Sequence, residues 1–108
     1  PDSVITSDAT GSTSIKKGSK SQYVEQLQDL LNTIHEAVKY INEKCGGIKW
    51  GLYPGGMVKV TGEFDDHTTS MSQFYLNRQE VEIDYLNELR NKINKWKQGS
   101  RCVYPLSV

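Results

Sequence analysis

Seven apolar residues, Val24, Leu27, Leu31, Ile34, Val38, Ile41 and Cys45, recur at alternating steps of three and four. That spacing brings all of them to one side of an α-helix of about six turns. Ser19 followed three residues on by Gln22 has the form of a capping box, and the Gly46-Gly47 pair is a stop signal. A helix is predicted over about 20–44. A stripe this wide is not stable facing water, so the rest of the chain must cover it.

Two further segments can do so. Thr68, Met71, Phe74 and Tyr75 fall at helical spacing behind Asp65 or Asp66, either of which can cap, and predict a second helix over about 66–78. Leu86, Leu89, Ile93 and Trp96 repeat at three, four and three between Asp84, a candidate cap, and Gly99. They predict a third helix over about 84–97. The expected fold is therefore all-α, a small three-helix domain whose core takes Val24, Leu27, Leu31, Ile34, Phe64, Leu86, Leu89 and Ile93. Between the first two helices, GGIKWGLYPGGMVKVTGEF carries six glycines and Pro54. A Gly-rich loop or a short hairpin is expected there.

The ends are different in kind. Residues 1–14, PDSVITSDATGSTS, hold one apolar pair and read as a polar linker or arm, leaving 15–108 as the domain. A start at Pro1 with no charged-then-apolar leader suggests a fragment or a processed chain. The tail RCVYPLSV is expected to run extended, with Val103, Tyr104 and Leu106 packing back on the helices.

Thirteen basic side chains balance thirteen acidic ones in 108 residues. Nucleic acid and anionic lipid are held by excess Lys and Arg, so neither is an expected partner. No run of apolar residues reaches the roughly 18 needed to cross a bilayer. Acids collect between Glu63 and Glu88 while Arg90, Lys92, Lys95, Lys97 and Arg101 follow, an order that matches a helix dipole. Cys45 and Cys102 stand far apart and form no zinc or redox motif. Two buried reduced thiols are the simpler expectation, with a bridge open if the chain is exported.

Taken in order, SIKKGSKSQYVEQLQDLLN, GLYPG and TGEFDDHT resemble the peptidoglycan-binding domain family found at the ends of bacterial cell-wall hydrolases and phage lysins. Ile15, Lys17, Gly18, Ser19, Val24, Leu27, Gln28 and Leu31 match its opening, and Gly51, Tyr53, Pro54 and Gly55 its Gly-aromatic-Pro-Gly turn. Gly62, Phe64 and Thr68 match its helix-opening signature, where Thr61 stands for Asp and Asp65 for Gly. The likeness covers about residues 15–76, with an insertion of about three turns in the first helix.

The resemblance implies a non-catalytic module that binds peptidoglycan, attached to a hydrolase or a phage particle protein, in an extracellular, cell-wall or phage-particle setting. Trp50 and Tyr53 suit stacking on sugar faces, and Gln73 suits amide recognition. The turn beside them adds Phe64, Asp65, His67 and Thr68, of which Phe64 and Thr68 serve structure first. Glu63, Asp65, Asp66 and His67 form the one cluster able to do acid and base chemistry or hold a metal. Neighbours in an extended turn point apart, however, and helix capping accounts for the acids. No catalytic residue, metal or cofactor is expected, and the chain does not read as an enzyme. The alternative is a structural docking module of a phage or other assembly, its sugar site lost, using the helix stripe left over near Val38, Ile41 and Cys45.

Overall fold

The computed structural model describes residues 14–107. Three helices, α1 (Gln22–Lys44), α2 (Asp66–Leu76) and α3 (Ile83–Gln98), are accompanied by a two-stranded antiparallel sheet of β1 (Ser14–Ile15) and β2 (Val81–Glu82). All eight residues expected in the core share one buried cluster, joined by Ile15, Met71, Tyr75 and Val81. The sheet was not foreseen. Its strands have two residues each, too short to show an alternation, and Ile15 lies opposite Val81 with both side chains buried. Ser14, assigned to the arm, thus belongs to the domain; the remainder of the expected arm lies outside the described residues.

The start of α1 needs correction. Ser21, not Ser19, caps it, its hydroxyl accepting from the Tyr23 amide at 3.1 Å. Ser19 is committed elsewhere: its carbonyl accepts from the Phe64 amide at 2.9 Å and its hydroxyl from the Lys16 amide at 3.1 Å. The Gly18 amide donates to the Phe64 carbonyl and the Ser21 amide to that of Gly62, so the entry to α1 pairs with the entry to α2. Gly62 sits at φ +83° with Glu25 and the Ser21 carbonyl close by, a left-handed position that would strain any side chain.

Asp65 caps α2, and Asn77 ends it in the left-handed conformation. At α3 the N-cap is Glu82, which makes no side-chain capping bond, and Asp84 lies inside the first turn, where its charge suits the helix dipole. Gly99 closes α3 as expected. No hairpin forms between α1 and α2; the connection has neither helix nor strand, apart from one bridge between Lys20 and Glu63.

The chain end departs most from expectation. Residues 105–107 form a 3-10 turn, Tyr104 and Leu106 pack on the core, and Val103 stays exposed. The Trp96 indole donates to the Val103 carbonyl at 2.7 Å, and Lys92 donates to the Leu106 carbonyl at 3.1 Å. Cys45 and Cys102 are bridged by a disulfide, which overturns the reading of two reduced thiols. The returning tail brings them together across a separation of 57 residues. Of the stripe near the end of α1, Val38 is fully buried, and Ile41 packs with Ala37, Trp96 and the partly buried Cys45.

Candidate functional site

The segment joining α1 to α2 lies along α1, held by a row of polar side chains beside the apolar stripe. Gln28 is fully buried. Its carbonyl oxygen accepts from the Thr61 and Gly62 amides at 2.8 and 3.0 Å, and its amide nitrogen donates to the Glu63 carbonyl and the Thr68 hydroxyl at 3.0 and 2.9 Å. Asn32 takes Val58 by both backbone groups, accepting from its amide and donating to its carbonyl, each at 2.8 Å. Asn42 treats Trp50 in the same way, at 2.8 and 2.9 Å.

His35 completes the row through an intermediary. The Tyr75 hydroxyl accepts from the Tyr53 amide at 3.0 Å and lies 2.7 Å from His35 Nδ1. The phenol thus links the imidazole to the backbone of the connecting segment, with a lone pair and its own proton both able to serve the Nδ1 contact. Burial, then the nearby Lys39 charge, push the His35 pKa down, and Glu36 opposes them. At 100° per residue, Gln28, Asn32, His35 and Asn42 occupy about 80° of the helix circumference. Gln28, Asn32 and Asn42 act as a substitute strand edge, satisfying backbone groups that an irregular segment would otherwise leave unpaired, and His35 does so through Tyr75.

The pinned segment presents an aromatic surface. Tyr53 packs against His67 and Phe74, with ring centroids 5.7 and 5.5 Å apart, and Phe74 stands edge-on to Tyr75 at 5.0 Å. Trp50 lies on Tyr104 at 4.8 Å with a 38° tilt. Close approach needs glycine at position 55, where a Cβ would come within 2.4 Å of the Tyr53 ring, whereas one at Gly51 would only touch Phe74 at 3.4 Å. Trp50 is 37% exposed and Phe74 45%, with Leu52, Met57 and Val60 also open on the same segment. The sequence reading used Phe74 and Tyr75 alike as part of the helical spacing of the second helix; Phe74 is the most open ring of the site, while Tyr75 is the buried partner. Phe74 and Tyr104 are the residues that reading missed.

The other candidates separate by role. Phe64 is 1% exposed and Thr68 is fully buried, so both are framework and neither faces a ligand. Asp65 accepts from the Thr68 amide at 2.9 Å and hydroxyl at 2.7 Å. Burial raises its pKa, but these bonds, helped by the nearby His67, outweigh it and hold the carboxyl below its usual value. Asp66 pairs with Lys17 at 2.6 Å on the exposed surface, and His67 donates from Nε2 to the Gly56 carbonyl at 3.2 Å. Gln73 is exposed and donates to the Asn77 side chain at 3.1 Å. The acid and imidazole cluster is thus spread over a cap, an ion pair and a loop bond. Among the described residues no group of three or more His, Cys, Asp or Glu could hold a metal ion, and no helix is long and apolar enough to cross a membrane.

Comparison of the chain with protein-family models, with curated proteins and with solved structures finds no match.

Proposed function

We propose that this domain is a non-catalytic binding module for peptidoglycan, displayed on a cell-wall hydrolase or a phage particle protein. The observation that carries the reading is the aromatic surface of Trp50 and Phe74, both exposed, and the half-buried Tyr53, built on a segment that α1 holds at three points and Tyr75 of α2 at a fourth. A pre-formed aromatic surface binds without first paying the entropy of ordering a loop. The motif order Ile15 to Thr68 supports the same family, and the Cys45–Cys102 disulfide fits a location outside a reducing cytosol. Sedimentation with purified, protein-free sacculi tests it. The wild-type chain is expected to pellet with the sacculi, and Trp50→Ala combined with Tyr53→Ala to remain in the supernatant with its helicity unchanged. A wild type that stays in the supernatant defeats the proposal.

A further inference from the structure

Building on the wall-binding reading, we infer that the part of the polymer recognised is the glycan strand and not its peptide stems, with Trp50 and Phe74 as two stacking faces that both border Gly51. Each ring has one side taken. Trp50 is backed by Tyr104, and Phe74 is supported edge-on by Tyr75 and Tyr53, which fixes both rings without covering their outer surfaces. Gly51 follows Trp50 and is exposed, and a Cβ there would touch Phe74 Cζ at 3.4 Å, so both rings border bare backbone. Two rings that border bare backbone form a track for an extended chain of rings, not a pocket for one end group.

Charge selects between the two components of the wall. Peptide stems carry carboxylates and amines, which need a charged partner to offset their desolvation. From Trp50 to Gly56 there is no acid, Lys, Arg or His. Lys49, the adjacent cation, is turned onto the Asn42 carbonyl, and His67 is occupied by the Gly56 carbonyl. N-acetylhexosamine rings ask for what is present, namely an aromatic face for the C–H side of the ring and amide groups for the acetamido substituent.

Trp50 reports on its own site, since the other tryptophan, Trp96, is buried beneath the tail. Fluorescence titration of the full chain with N-acetylglucosamine hexamer is expected to shift the Trp50 emission, with the hexamer binding more tightly than the dimer. Phe74→Ala and Gly51→Val should each weaken binding by roughly tenfold, and Trp50→Phe, titrated by calorimetry because it lacks the reporter, should retain it. A synthetic stem tetrapeptide should cause no shift and should not compete. If the chain pellets with sacculi but ignores the hexamer, or the tetrapeptide displaces it, glycan recognition is wrong and wall binding stands. If neither sacculi nor hexamer binds, both fall; if Phe74→Ala binds the hexamer as wild type does, the two-faced track is wrong.

Discussion

Gln28 has more consequences than any other single residue. Its side chain is fully buried, and the amides of Thr61 and Gly62 have it as their partner. Gln28→Leu keeps the volume but strands those two donors and deprives the Thr68 hydroxyl of a donor, so a loss of about 3 kcal/mol is expected in urea denaturation. The sequence holds part of this: Gln28 stands one position after Leu27 in the motif, but nothing in a sequence separates a buried glutamine from an exposed one on a helix flank. Phe74 poses the same question for an aromatic residue. Phe74 and Tyr75 are neighbours on the edge of the α2 stripe, and which ring turns inward was decided by the hydroxyl that Tyr75 alone can offer to His35 and the Tyr53 amide.

At the scale of elements, α1 serves two surfaces at once. Its apolar stripe builds the core while Gln28, Asn32, His35 and Asn42 hold the connecting segment. His35 gives this arrangement a pH dependence. Its folded-state pKa lies below the ordinary 6.5, so the unfolded chain takes up its proton first, and stability falls as the pH drops from 6.5 toward the folded value. Protonation at Nδ1 would also leave the Tyr75 hydroxyl facing a donor on both sides. Thermal melts are therefore expected to show a lower Tm at pH 5 than at pH 7.5, with a smaller difference in His35→Gln. An equal difference in the variant would assign the effect to other groups. The three helices were legible because each repeats an apolar spacing over several turns. β1 and β2 were not, since two residues carry no period and pair only because distant segments meet.

For the whole molecule, the disulfide and the returning tail decide what is covered. The bridge closes a loop of 57 residues, for which the chain-entropy relation gives about 4 kcal/mol of stabilisation. Dithiothreitol, or Cys45→Ala with Cys102→Ala, is expected to lower the melting temperature by roughly 10 °C or more and to shift Trp96 emission to the red as the tail loosens. An unchanged melt would mean that the tail holds without the bridge. The sequence by itself determined the three helices, the shared core and a cap at Asp65 or Asp66, because periodicity and capping are local and are written within a few turns. Only the tertiary structure decided that Cys45 meets Cys102, that Trp96 packs on Ile41, and that the segment from Trp50 to Gly62 is pinned along α1. Each of these depends on groups far apart in the chain finding partners for buried surface or unpaired backbone, and no local spacing records which partner is nearest once the core has closed.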